Sequence, residues 1–212
     1  MICFQRKCIF VHVPKTGGTS IENAIWGPDW RQRTTQQLWM GNVRPGFNKY
    51  QSGGLQHLLA TQIRQEVGAR IFAACFRFSF VRNPWDKVVS QFHYLKTRPM
   101  LLKHMGLTRF STFQKYLNVL ARDHARHVQS FEQWRFVLDE DGECLVDFVG
   151  KFENIAGDFR EVAATIGLPA DKLPHDMKSA RRRHYRQYYN RRRRQQVADI
   201  YSRDIQHFEY EF

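Results

Sequence analysis

Residues 8–26, CIFVHVPKTGGTSIENAIW, place a lysine, two glycines and two hydroxyl residues where an apolar run gives way to a helical pattern. Gly17 and Gly18 allow a tight turn in which successive backbone N–H groups point at one ligand. Lys15 adds a positive charge, and the following helix adds the positive end of its dipole. Such a loop suits a phosphate or sulfate group. A plain strand–turn–helix with a surface lysine would show the same local pattern, because short glycine motifs also occur without a ligand.

The elements on either side of this loop are predicted from their residue types. Residues 8–13 form a short apolar, β-branched run typical of a strand covered on both faces, and Pro14 ends it. Thr19 or Ser20 is expected to cap the helix. The inner face of that helix is expected to carry Ile21, Ala24 and Ile25. The lysine precedes the glycines, whereas in the Walker A loop, GxxxxGK[ST], it follows them, so ATP is the weaker prediction.

A second basic residue follows a second apolar run. Residues 76–81 are predicted to form a strand that Asn83-Pro84 ends, and a helix is expected from Asp86 onward. Arg82 lies at the end of this strand, and Ser90 follows eight residues later, about two helical turns. An arginine fork and a hydroxyl that meet at one ligand suit a dianionic phosphate.

The candidate proton acceptor is one of nine histidines. Residues 55–67 are predicted to form a helix, with His57 near its N-terminal end beside the turn Ser52-Gly53-Gly54. Imidazole titrates close to neutral pH, which makes His57 a candidate general base, although a histidine that caps or packs the helix would look the same. His124 and His127 lack the cysteine or carboxylate spacing of a metal site, so no metal is expected.

Length and composition bound the class of protein. A chain of 212 residues with 42% hydrophobic residues has enough apolar side chains for one substantial core, so a single domain over residues 1–212 is expected. No stretch reaches the roughly 18 apolar residues of a membrane helix, and no integral membrane segment is expected. The four cysteines form no CxxC pair and are interpreted as reduced thiols in a cytoplasm.

The net charge of +13 indicates an anionic partner. Residues 178–194 hold nine Lys or Arg and no acid. A solvated helix face explains such a run, and a polyanionic substrate or nucleic acid are the alternatives. No helix-turn-helix, zinc-finger or RNA-binding signature accompanies the run, so nucleic acid is not expected.

Two motifs together resemble those of sulfotransferases that use 3′-phosphoadenosine-5′-phosphosulfate (PAPS). PKTGGTS, residues 14–20, resembles their 5′-phosphosulfate loop, and FVRNPWDKVVSQFHY, residues 80–94, resembles their 3′-phosphate motif. Three further segments resemble the carbohydrate, or Golgi-type, family: QHLLATQIR, VDFVGKFENIAGDF and the carboxyl-terminal LPHDMKSARRRHYRQYY. The membrane anchor of animal members has no counterpart here, which favours a soluble, bacterial-like form.

The resemblance implies a P-loop-like three-layer α/β fold with a mainly parallel sheet flanked by helices. It implies sulfuryl transfer from PAPS to a hydroxyl of a carbohydrate, by in-line displacement and without a metal. In such a reaction Lys15 acts on the bridging oxygen and His57 is the general base. The residues implied to bind the nucleotide are Lys15, Thr16, Gly17, Gly18, Thr19, Ser20, Arg82, Ser90, Lys178 and Ser179.

Some alternatives stay open at this point. LPHDM stands where many relatives have Asn two residues after His, which leaves the contacts of the terminal loop with the nucleotide open. A P-loop-type kinase using ATP and Mg²⁺ is the second enzyme class, and a non-catalytic module that binds polyanions through the arginine-rich segment is the third. The sequence names neither the acceptor nor the oligomeric state.

Overall fold

The computed structural model describes residues 1–27, 57–169, 173 and 183–212 of the chain. The residues group into two compact units. The first, here called the sheet unit, comprises residues 1–81 and 133–177, and the second, the helical unit, comprises residues 82–132 and 178–212. No helix in the described ranges has the length and apolar character needed to cross a membrane.

The sheet has four strands in the described part of the chain, in the order β1-β2-β3-β4. They are β1 (Ile2–Cys3), β2 (Cys8–Val11), β3 (Phe76–Val81) and β4 (Phe148–Lys151). The short β1 runs antiparallel to β2, and the β2–β3 and β3–β4 pairs are parallel. The predicted α/β class with a mainly parallel sheet is therefore confirmed, and both predicted strands at the phosphate-type motifs are present.

The helices of the sheet unit are Gly18–Trp26, Ala60–Val67, Ala69–Ala73, Trp134–Val137 and Ile155–Thr165. The sheet contributes three fully buried phenylalanines to one apolar cluster, Phe10, Phe78 and Phe80. Helix Gly18–Trp26 adds Ile21 and Ile25 to this cluster, and helix Ile155–Thr165 adds Phe159 and Val162. Burial of these side chains holds the two helices on the sheet.

One predicted strand of the sheet unit is wrong. The short apolar run at residues 134–138 predicts a strand from the sequence, but Trp134–Val137 is a short helix, and the Leu138 N–H donates to the Trp134 carbonyl at 2.9 Å. Leu138 then makes a single antiparallel bridge with Cys144. A short apolar run has the same composition in a helix and in a strand, so periodicity alone does not separate them.

The helical unit contains the helices Pro84–Lys96, Pro99–His104, Phe113–Asp123, Arg191–Ile200 and Ser202–His207. Its core combines Trp85, Val88 and Phe92 with Leu117 and Tyr201. The sequence near residues 190–205 predicts one closing helix, but the structure has two, separated at Tyr201. Tyr201 is buried, and its hydroxyl donates to the Ser130 carbonyl at 2.8 Å.

Candidate functional site

The glycine loop follows β2 and ends in a glycine cap. Gly17 is the N-cap of helix Gly18–Trp26 with φ 84°, in the left-handed region. A Cβ at Gly17 would lie 2.6 Å from Ile155 Cδ1, so glycine is needed there for both conformation and space. The predicted cap at Thr19 or Ser20 is wrong, because the chain enters the helix at Gly18 and both hydroxyl residues lie in its first turn.

Lys15 and Thr16 shape the loop before Gly17. Lys15 adopts φ 70°, which is uncommon for a side chain with a Cβ, and it is half-buried. The buried Thr16 hydroxyl donates to the Val13 carbonyl at 2.8 Å. Two residues of the loop, Lys15 and Gly17, are therefore left-handed, and Thr16 between them is held by its hydrogen bond to Val13.

His57 is a buried histidine of the same unit. Its Nδ1 lies 3.0 Å from the carbonyl oxygen of His12. A carbonyl oxygen accepts only, so Nδ1 carries the proton and Nε2 carries the lone pair. Burial lowers the pKa of His57 to about 3; repulsion from His12 and, more weakly, from the N-terminus and Lys15 adds to this, while the hydrogen bond to the His12 carbonyl opposes it. His57 is therefore neutral at ordinary pH. The positive charge of Lys15 is near enough to disfavour the protonated form of its ring.

The helix predicted over residues 55–67 begins later than expected. His57 lies three residues before helix Ala60–Val67, whose Leu59 cap has its N–H bonded to Gln62 Oε1 at 2.9 Å. The turn at residues 52–54 and Leu55 lie outside the described ranges. The placement of His57 ahead of the helix directs its ring to the carbonyl that follows β2 rather than along the helix face.

His12 and Glu22 form a buried pair beneath the loop, and the sequence analysis did not single out His12. The His12 Nδ1 lies 2.7 Å from Glu22 Oε1, and the two side chains are 5% and 0% exposed. The His12 ring meets the His57 ring edge-on, with 4.5 Å between centroids. The sequence does contain an indication of this pair. His12 is a polar residue within the apolar run of residues 8–13, and Glu22 is an acid beside the apolar residues of the following helix.

The second connection from a strand to a helix, residues 82–83 after β3, is built differently from the glycine loop after β2. Helix Pro84–Lys96 begins two residues earlier than predicted, and the Asn83 side chain accepts from the N–H groups of Trp85 and Asp86 at 3.1 and 3.4 Å. The buried Arg82 donates from Nε and Nη2 to Asp86 Oδ2 at 2.9 and 2.7 Å. Ser90 is buried in the same helix. The sequence analysis missed the Arg82–Asp86 pair, although its i, i+4 charge spacing was visible.

Two other polar side chains, those of His93 and Asn154, have partners within their own units. His93 packs in the helical unit, where its Nε2 lies 2.7 Å from the Tyr188 hydroxyl, and the Asn154 amide donates to Asp158 Oδ1 at 2.6 Å. Lys178 and Ser179 lie outside the described residues. Within the described ranges, no three His, Cys, Asp or Glu side chains group in a way that would hold a metal ion.

The chain is an α/β protein in which a parallel strand leads through a left-handed glycine cap to the start of a helix. A model of the sulfotransferase family matches residues 1–211. The chain therefore belongs to the sulfotransferase family, whose general activity is transfer of a sulfuryl group to an acceptor. The chain is also similar to an "Uncharacterized protein" of Archaeoglobus fulgidus, at 31% identity over 116 residues that cover 53% of this chain and 84% of that one. No solved structure was found to match it.

Proposed function

We propose that this protein transfers a sulfuryl group from PAPS to a hydroxyl of a carbohydrate acceptor, with His57 as the general base and without a metal ion. The observation that carries the proposal is the tautomer of His57. Its Nδ1–H is held by the His12 carbonyl, so Nε2 carries the lone pair, and the charge of Lys15 acts on the same ring. We further propose that residues 1–212 act as one catalytic domain in a cytoplasm.

The glycine loop fits the 5′ end of PAPS. The left-handed Gly17 cap leaves no room for a side chain, and a helix of nine residues begins directly after it. Thr16 would bind through its backbone N–H, because its hydroxyl proton is donated to the Val13 carbonyl. The N–H groups of residues 16–19 and the Lys15 ammonium would hold the phosphosulfate. Ser20 would bind through its side chain, because its N–H donates to the Gly17 carbonyl at 3.0 Å.

When bound, PAPS supplies the sulfuryl group and leaves as adenosine-3′,5′-bisphosphate. A bond forms from the acceptor oxygen to sulfur while the bond from sulfur to the phosphate oxygen breaks. His57 Nε2 takes the proton of the acceptor hydroxyl, and Lys15 stabilises the negative charge that grows on the departing oxygen. The family resemblance assigns the 3′-phosphate to Arg82 and Ser90, with Lys178 and Ser179 as further contacts.

The low pKa of His57 is compatible with this role. A histidine whose pKa is about 3 keeps its lone pair at every ordinary pH, but it is a weak base. Phosphate groups near the ring raise its pKa, because negative charge favours the imidazolium form. The base would therefore gain strength when the nucleotide is in place.

Thermal denaturation with two nucleotides separates this proposal from the other classes. Adenosine-3′,5′-bisphosphate at about 100-fold excess over its Kd should add about 2.7 kcal/mol to the free energy of unfolding. In a chain of this size each kcal/mol raises the Tm by about 2–4 °C. ATP with Mg²⁺ should give a smaller rise. A larger rise with ATP and Mg²⁺ would favour the kinase, and no rise with either nucleotide would favour the polyanion-binding module.

Transfer itself is tested with PAPS labelled with ³⁵S and a panel of neutral glycans, anionic glycans and tyrosine peptides. We expect label to enter one of the glycan classes, and we expect EDTA to leave the rate unchanged, because Lys15 and the loop amides supply the positive field. Activity that EDTA abolishes and Mg²⁺ restores would contradict the metal-free mechanism. Label that enters only peptides would contradict the carbohydrate assignment.

A further inference from the structure

We propose that His12 and Glu22 form a positioning pair that fixes both the tautomer and the orientation of His57 and supports the first residue of the loop helix. The inference rests on the proposed function, because it assigns these two residues to the base of that reaction. Neither residue belongs to the phosphosulfate motif, and both are buried in the sheet unit.

Glu22 holds the His12 ring. The carboxylate oxygen Oε1 lies 2.7 Å from His12 Nδ1, and Glu22 is fully buried in helix Gly18–Trp26. On its other side the His12 ring stacks on Phe10, with 5.2 Å between centroids and 22° between planes. A ring held by a hydrogen bond and by a stacked neighbour has one orientation.

His12 in turn orients His57. The residue carries the carbonyl oxygen to which His57 Nδ1–H donates at 3.0 Å, and its ring lies edge-on to the His57 ring. The carbonyl excludes the tautomer with the proton on Nε2, because that tautomer would set a lone pair against the carbonyl oxygen. The residue that Glu22 holds therefore contacts the base through both its backbone and its ring.

His12 also links the base to the anion-binding loop. A Cβ built on Gly18 would lie 2.1 Å from His12 Nε2, so the His12 ring fills the space beneath the first residue of the helix. A shift of the His12 ring toward the helix would displace Gly18, the first residue of the helix. One side chain thus supports the backbone proposed to hold the phosphosulfate and the base proposed to take the proton.

Stability alone is a poor explanation for this pair. Taking a carboxylate and an imidazole out of water is costly, and apolar side chains of similar volume often replace buried ionic pairs without loss of stability. An apolar pair would also fill the sheet–helix interface, which is otherwise lined by Phe10 and Ile21. The pair is better explained by the direction that its hydrogen bond imposes.

The test compares the full-length parent with Glu22→Gln and Glu22→Leu. The Gln amide oxygen can still accept from His12 Nδ1, whereas Leu fills similar space and cannot accept. Asp158→Asn is the matched control, because Asp158 is another acid of the sheet unit whose side chain accepts from the Lys151 N–H at 2.6 Å. Ring ¹⁵N chemical shifts of His57, assigned with His57→Gln, report the tautomer without any need for turnover.

We expect the parent, Glu22→Gln and Asp158→Asn to show His57 protonated on Nδ1, and Glu22→Leu to show a mixture of tautomers. With PAPS, Glu22→Leu should lower kcat by about 10²-fold, the size of effect that a misplacement of about 1 Å produces, while the KM for PAPS changes only a few-fold. Glu22→Gln should retain kcat within about threefold, because it keeps the acceptor that sets the position.

Several results would overturn the inference. One is a parent His57 protonated on Nε2, which needs no variant to observe and so decides the matter even if Glu22→Leu does not fold. Another is a folded Glu22→Leu with the parental tautomer and kcat. A third is Glu22→Gln with the parental tautomer but a large loss of kcat, since Glu22 would then act through its charge. If the tautomers behave as expected but the parent neither binds adenosine-3′,5′-bisphosphate nor transfers label, the proposed function fails and the positioning of His57 stands.

Discussion

The two junctions at which a parallel strand leads to a helix differ in how they satisfy the helix start. Six residues, 12–17, connect β2 to helix Gly18–Trp26, and the cap is a left-handed glycine without a side chain. Only two residues, 82 and 83, connect β3 to helix Pro84–Lys96, and the Asn83 side chain accepts from two N–H groups of the first turn. The same order of strand, basic residue and helix therefore leads to two different kinds of helix cap, one without a side chain and one made by a side chain.

The difference indicates how each junction would bind an anion. At the first, the helix start is capped by backbone alone, so its N–H groups and dipole are suited to an external anion. At the second, Asn83 already accepts from Trp85 and Asp86, so an anion would be held by side chains such as Arg82. Four predictions test this comparison, beginning with the largest expected effect.

His57→Ala should affect chemistry at the first junction without affecting nucleotide binding. Loss of a positioned base lowers turnover by roughly 10²- to 10⁴-fold. The Kd of adenosine-3′,5′-bisphosphate should stay within a few-fold of the parent, because His57 contacts the carbonyl of His12 rather than the loop glycines. Turnover of ³⁵S-labelled PAPS and nucleotide binding are the two measurements. His93→Gln is the control, a histidine that packs against Tyr188 in the helical unit. Near-normal turnover of a folded His57→Ala would remove the assignment and make Glu22 or a histidine of the 124–127 segment the next candidate.

Lys15→Ala and Arg82→Ala should separate the two junctions by kinetic signature. Lys15 would act on charge that develops in the transition state, so its loss should lower kcat by about 10²- to 10³-fold with little change in Kd. Arg82 would act on the bound nucleotide, and its loss should raise Kd by about 30-fold or more. Arg77→Ala is the control, since Arg77 lies within β3 and, like Arg82, pairs with a carboxylate, that of Asp147. If both variants bound and turned over PAPS as the parent does, both assignments would be wrong.

Acid should destabilise the sheet unit through His57. In the folded protein the pKa of His57 is lowered from 6.5 to about 3, so between these values the unfolded chain binds a proton that the folded chain does not. The contribution is complete above pH 6.5 and is lost as the pH falls toward 3, which amounts to at most about 5 kcal/mol of unfolding free energy. Urea unfolding at a series of pH values should show a shallower loss for His57→Gln than for the parent. His207→Gln, at an exposed position, is the control; a slope for His57→Gln equal to that of the parent would contradict the prediction.

Asn83→Ala should produce the smallest effect and one that is local to the second junction. Removal of an N-cap side chain that accepts from two N–H groups costs about 1 kcal/mol of unfolding free energy. Chemical denaturation measures this loss directly. Thr112→Ala is a matched control in the same unit, because Thr112 caps helix Phe113–Asp123 by accepting from the Lys115 N–H at 3.2 Å. A binding defect of Asn83→Ala larger than its loss of stability would show that Asn83 contacts the nucleotide.

The sequence alone was sufficient for features that depend on neighbouring residues. Strand β3 at residues 76–81 was predicted with its exact bounds, and β2 with its start at Cys8, because apolar runs that a proline or Asn-Pro ends are encoded locally. The glycine loop, Lys15 and the family were also visible, since tight turns require particular residues at fixed spacing. Lys178 and Ser179 stay predictions.

Tertiary structure decided the features that join distant residues or depend on the path of the backbone. His57 meets the His12 carbonyl across 45 residues, and no local pattern encodes that contact or the tautomer it imposes. The cap lies at Gly17 rather than Thr19, and a Cβ at Gly17 would lie 2.6 Å from Ile155, a residue 138 positions away. Residues 134–137 are a helix although their sequence predicts a strand. The sequence does not distinguish the two, because Phe136 and Val137 can be buried in either conformation. The intrinsic preferences of these residues for helix or strand differ by less free energy than packing contributes. Packing therefore determined which conformation these segments adopt.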